Sequence, residues 1–128
     1  QRLFRDTEDN AELTDAVMIP VENIRGRLML IGCEDDSLWP TAHYIRRMDE
    51  RLKAHAHECR YEALIYNHGT HFAFPESMLR QIIPVFPDFL VSRAFRAARE
   101  YPKECRAARE DIDHRLNRAI EEWLEEAE

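Results

Sequence analysis

The chain has 128 residues, of which 45% are hydrophobic and 34% charged, and a formal net charge of −7. That length suits one domain or part of one, and the composition is that of a soluble, folded chain rather than a disordered one. The acidic balance argues against broad, charge-driven nucleic-acid binding, and no run of about 18 apolar residues is present to span a membrane.

Residues 1–16 are polar and acidic without a clear period, and they read as an irregular arm ahead of a domain portion covering 17–128. Val17 to Ile24 is more apolar, and Pro20 keeps it from being a helix. Arg25-Gly26-Arg27 is a turn. Leu28-Met29-Leu30-Ile31-Gly32 is a short apolar run without alternation, as expected of a strand covered on both faces in a parallel sheet. An acidic loop, Cys33 to Pro40, follows it. Thr41 is placed to N-cap a helix from about 42 to 56, whose stripe is Ile45, Met48, Leu52 and Ala56. Cys59 to Tyr66 is a second short strand, ending in the loop Asn67 to Pro75.

The remainder reads as helical. Ser77 to Val85 fits a short helix, and Asp88 to Glu100 a second one carrying Arg93, Arg96 and Arg99. Pro102 opens a long last helix with Cys105, Ala108, Ile112, Leu116, Ile120 and Trp123 as its stripe. Four glutamates, 121, 122, 125 and 126, sit at the unfavourable end of its dipole, so its tip is expected to fray.

Strand, acidic loop, helix, strand, histidine loop is a βαβ order, and parallel strands need such a crossover. Both loops then lie side by side at the carboxyl edge of the sheet, where open α/β sheets collect their ligands. A carboxylate after one strand and a histidine after the next is the order in which a Ser/Cys–His–Asp hydrolase arranges its acid and base. The histidine takes the nucleophile's proton and returns it to the leaving group; the carboxylate holds the histidine in the right tautomer.

Four segments sharpen this reading: Ile19-Pro20-Val21-Glu22-Asn23-Ile24, Leu28-Met29-Leu30-Ile31, Glu34-Asp35-Asp36-Ser37-Leu38-Trp39-Pro40-Thr41 and Gly69-Thr70-His71-Phe72. Together they resemble the C-terminal hydrolase domain of acyl-CoA thioesterases and bile acid-CoA:amino acid N-acyltransferases. The resemblance is good over residues 19–75, thinner in the last helix and weak from 80 to 104. It implies the C-terminal part of an α/β-hydrolase fold: the last parallel strands, flanking helices and a long C-terminal helix. It further implies Asp36 as the triad acid and His71 as the base, an acyl-CoA or other thioester or ester substrate, and no metal or organic cofactor. Three positions depart from the family's pattern. Cys33 stands where the family usually has glycine, Thr70 separates Gly69 from His71, and Thr41 replaces a serine.

The nucleophile is missing. The serines are Ser37, Ser77 and Ser92, and neither Gly-x-Ser-x-Gly nor Gly-x-Cys-x-Gly occurs. A histidine and an acid without nucleophile and oxyanion hole give little hydrolysis, so the chain reads as a fragment inactive on its own. A strand at 28–31 without an inner neighbour leaves an open edge, for which self-association is the expected cover.

Several rival readings concern the same residues. Asp35 competes with Asp36 for the acid's role but reads as loop-shaping, and His68 reads as a surface histidine. His55, His57 and Cys59 with His68 and His71 offer metal-ligand types, but His55 and His57 fall at a helix end, so no metal is expected. Trp39 and Pro40 read as loop packing, and the three arginines as a solvated face rather than a phosphate site. Cys33, Cys59 and Cys105 are odd in number and lack a CxxC pair, which fits free thiols in a reducing, cytoplasmic setting. The rival functions are a dienelactone hydrolase or esterase fragment and a non-catalytic interaction module.

Overall fold

The computed structural model describes residues 18–126; the proposed arm at 1–16 lies outside them. Two strands, β1 (Arg27–Cys33) and β2 (Arg60–Tyr66), pair in parallel, Arg27 opposite Arg60 and Cys33 opposite Tyr66. The crossover is helix α1 (Thr41–Ala54). Four helices follow: α2 (Glu76–Ile82), α3 (Pro87–Ala94), α4 (Arg96–Glu100) and α5 (Pro102–Glu125). Among the described residues the sheet has these two strands only, and no helix is long and apolar enough to cross a membrane. The arrangement is a mixed α/β unit with the expected βαβ order.

Side chains alternate across a strand, and the alternation sorts the helices onto opposite faces. Tyr61 reaches α1, its hydroxyl donating to Asp49 at 2.9 Å. Its neighbour Glu62 points the other way and accepts from Arg115 of α5 at 2.8 Å. Tyr66, four residues on and on the same face as Glu62, donates to Asp111 of α5 at 2.8 Å. The sheet is therefore layered between α1 and α5, which explains why its apolar runs lack a polar face. On the α1 side Val21, Leu52 and Cys59 are buried with Leu28, Met48 and Tyr61 around them. A second apolar cluster gathers Leu79, Val91, Phe95, Ala98 and Cys105 from α2 to α5.

Several local expectations are corrected. Val21–Asn23 closes a short 3-10 turn directly after Pro20, in a stretch that Pro20 was expected to keep from being a helix. Thr41 is not the N-cap; it is the first residue of α1, with Pro40 in the cap position. Its hydroxyl turns to the end of β1, accepting from Cys33 N and donating to Cys33 O, both at 3.3 Å. This seats the helix so close to the strand that a Cβ on Gly32 would lie 2.8 Å from Ile45 and 2.9 Å from Thr41. Asp88 to Glu100 is two helices, not one. Phe95 adopts extended backbone (φ −125°, ψ 127°) between them, which drives its ring into the core against Phe72. The break also means that Arg93 and Arg96 do not share a helix face with a common purpose; Arg96 pairs with Glu100.

The stripe of α5 drifts. Residues four apart turn about 40° past a full circle at each step, so the run 108, 112, 116, 120 rotates off the buried face. Ala119 is buried instead, and Ile120 is exposed. The tip of α5 is also tied down rather than loose. Glu126 accepts from both Arg27 and Arg60 at the start of the two strands.

The 3-10 turn is anchored to α1 by Glu22, which accepts a forked pair of hydrogen bonds from Arg51. Those bonds hold the Glu22 carboxyl down at about 2, from an ordinary 4.5. A carboxyl depressed in the folded state stabilises in full above its unfolded value and loses that contribution as pH falls through its folded one. Glu22→Gln is therefore expected to lower stability at pH 6 and to converge with wild type as pH approaches 2. Urea midpoints at both pH values check this, and a constant gap between the two proteins would contradict it.

Candidate active site

The acid loop begins at the end of β1. Cys33 is its last strand residue, and Asp36 follows three places later. Asp36 turns back on its own loop, Oδ1 accepting from Leu38 N at 2.9 Å and Trp39 N at 3.0 Å. This is the turn that an aspartate readily builds around its own backbone. It leaves Asp36 1% exposed, with Oδ2 facing the neighbouring loop.

That loop leaves β2 at Asn67. His71 lies on it, and its Nδ1 stands 3.1 Å from Asp36 Oδ2. An ionised carboxylate only accepts, so the proton of this bond sits on Nδ1 and the lone pair is left on Nε2. The His71 side chain keeps 28% of its surface open, so the ring is reachable while its acid partner is sealed. Trp39 closes one side, its ring edge-on to the His71 ring at a centroid distance of 4.9 Å. The expectation that Trp39 packs the loop holds, but the ring it packs against is His71.

Asp35 is loop-shaping, as expected, and its bonds reach across to the histidine loop. Its Oδ1 accepts from Gly69 N at 3.0 Å and Thr70 N at 2.9 Å, and its Oδ2 meets His68 Nδ1 at 3.1 Å. His68 is correspondingly more than a surface histidine. It is half-buried and stacked on Tyr101 at 3.8 Å, the planes 11° apart. Two adjacent acids thus hold two histidines three residues apart. Sequence reasoning missed the second pair, although the spacing Asp35-Asp36 against His68-x-x-His71 was its signal.

The two departures at 33 and 70 meet in space. Thr70 has φ 60°, a left-handed conformation that a β-branched residue seldom adopts. It is over-determined by its neighbours: its N donates to Asp35, its carbonyl accepts from the Cys33 thiol, and its Oγ1 accepts from Phe72 N. Burial, and then the charge of Asp35, push the Cys33 thiol well above its ordinary range. Burial likewise pushes Cys105 up to about 11. A buried thiol held protonated is no nucleophile. Ser77 bonds Asp113 and Ser92 bonds Phe89 O, each on the helical side of the molecule.

Of the residue types considered for a metal, His57 and Cys59 meet, Nδ1 3.4 Å from Sγ, but no larger set forms among the described residues. His55 turns its ring to Arg51 O at 3.0 Å, and His57 turns to Cys59 O at 3.0 Å. Among the described residues no three His, Cys, Asp or Glu side chains form a group able to hold an ion.

What the site can do chemically is accept a proton at His71 Nε2 and stabilise the resulting imidazolium through Asp36. No curated protein and no solved structure matches the chain. Residues 2–87, two-thirds of the chain and both loops within it, match the family described as BAAT / Acyl-CoA thioester hydrolase C terminal. The chain belongs to that family.

Proposed function

We propose that this chain supplies the acid–base half of an α/β-hydrolase that cleaves or transfers the acyl group of acyl-CoA thioesters. Asp36 is the acid and His71 the base. The observation that carries the reading is the Asp36–His71 bond at 3.1 Å, made between the ends of two adjacent parallel strands by a buried acid and a half-buried base. Family membership supplies the substrate class.

In this mechanism His71 Nε2 takes the proton of a nucleophile that lies outside these 128 residues. The nucleophile attacks the thioester carbonyl, and the tetrahedral intermediate expels the CoA thiolate, which takes the proton back from His71. A second round, with His71 now activating water or an acceptor amine, releases the acyl group. The difference between hydrolase and acyltransferase is therefore which acceptor reaches His71.

The test joins this chain to the segment that carries the nucleophile and offers a long-chain acyl-CoA beside a simple aryl ester, following free thiol and phenol release. Thioester turnover that needs His71, with the 128 residues alone inactive, is the expected outcome. Ester turnover without thioester turnover would move the protein to the esterase and dienelactone hydrolase reading. Turnover of neither substrate would leave an interaction module.

A further inference from the structure

The Asp35 carboxylate makes three bonds to the histidine loop. It receives Gly69 N, Thr70 N and the His68 ring. We infer that Asp35 is a positioning residue for His71, a clamp that fixes the backbone from which the base projects. The inference rests on the reading of His71 as the base, but its geometry stands apart from any chemistry.

The left-handed backbone of Thr70 is costly for a threonine and persists only where surrounding contacts enforce it. Thr70 directly precedes His71, so its φ and ψ set the direction in which the His71 side chain leaves the loop. With the threonine relaxed to an extended conformation, His71 would swing away from Asp36, which cannot follow because its other oxygen is held by Leu38 N and Trp39 N. Asp35 Oδ1 supplies the acceptor for Thr70 N and for the residue before it. Its Oδ2 holds His68, whose stacking on Tyr101 ties the start of the same loop to the junction of α4 and α5. Consecutive acids thus divide the work: Asp36 orients the ring of the base, and Asp35 orients its backbone.

The isosteric change separates clamp from charge. Asp35→Asn keeps a carbonyl oxygen that accepts from Gly69 N and Thr70 N. Asp35→Ala keeps nothing. In the wild-type 128-residue chain, long-range proton–nitrogen NMR correlations at a pH where the ring is neutral should find His71 as its Nδ1–H tautomer. The Gly69 and Thr70 amides should be protected from exchange. In Asp35→Ala those two amides should exchange on the order of tenfold faster or more, as expected of local opening, and His71 should become a mixture of tautomers. Asp35→Asn should restore both signals.

Unchanged His71 tautomer and amide protection in Asp35→Ala would overturn the clamp. So would an Asp35→Asn protein as disturbed as the alanine variant, because charge would then be the cause. If Asp35→Ala does not fold, the wild type decides, since freely exchanging Gly69 and Thr70 amides contradict the inference directly. None of these readouts uses turnover. An intact clamp in a protein that cleaves no thioester would leave this inference standing and sink the functional one.

Discussion

Asp36→Asn, made where the nucleophile is also present, is expected to lower kcat for thioester cleavage by about 10⁴-fold, the size of a forced tautomer change in a serine hydrolase triad, with KM nearly unchanged. The carboxamide fits the same space, and its oxygen still accepts from Leu38 N and Trp39 N. Its other end, however, becomes an NH₂ facing His71 Nδ1. Two donors cannot share one bond, so the imidazole turns its lone pair to Nδ1 and carries the proton on Nε2. A base with its reactive nitrogen already protonated cannot take a proton from the nucleophile. KM is spared because Asp36 is sealed from any substrate. Asp35 and Asp36 are neighbours in sequence, each 3.1 Å from a histidine nitrogen. If Asp35 were the acid, Asp35→Asn and His68→Ala would carry the large loss, and Asp36→Asn a small one. Two observations favour Asp36. Its carboxylate is the more deeply buried, and His68 is stacked flat on Tyr101 whereas Trp39 meets His71 edge-on.

The site was legible in the sequence to the extent that it depends on strand ends. An apolar run that stops at Gly32-Cys33 and another that stops at Tyr66-Asn67 put the acid and histidine loops on one edge, and the family resemblance singled out Asp36 and His71 within them. What stayed hidden depends on loop backbone. Nothing in a linear pattern says that Asp35 will bond the backbone of residues 69 and 70, or that Thr70 will be left-handed. The same limit explains Thr41, whose hydroxyl is a good cap by type but is drawn to Cys33 by the closeness of helix and strand at Gly32. Among the helices, period analysis found the long one and missed the break at Phe95. A helix interrupted to bury one ring keeps its polar residues and changes only its φ and ψ. Glu126 escaped because its partners, Arg27 and Arg60, lie far away along the chain.

A buried charge in the helical layer was likewise invisible. Arg109 looks like one more cation on a charged helix, yet it is 1% exposed. Its Nε donates to Glu76 Oε2 at 2.7 Å, and a terminal amine donates to Asp88, so one guanidinium joins the first turns of α2 and α3 to α5. Taking a guanidinium out of water is expensive, and the pair offsets that cost only while both members are present. Arg109→Met preserves much of the volume and the stem but leaves the Glu76 carboxylate buried, with the exposed Arg80 as its remaining cation. The expected loss is about 3–5 kcal/mol, roughly a fifth or more of what holds a domain of this size together. Glu76→Gln in the Arg109→Met background removes the stranded charge, so the double variant should recover part of the loss. Chemical unfolding of wild type, both single variants and the double variant measures that coupling. An Arg109→Met protein within about 1 kcal/mol of wild type, or a double variant no better than the single, would mean that apolar packing around α2, not the ion pair, fixes the helical layer beneath the His71 loop.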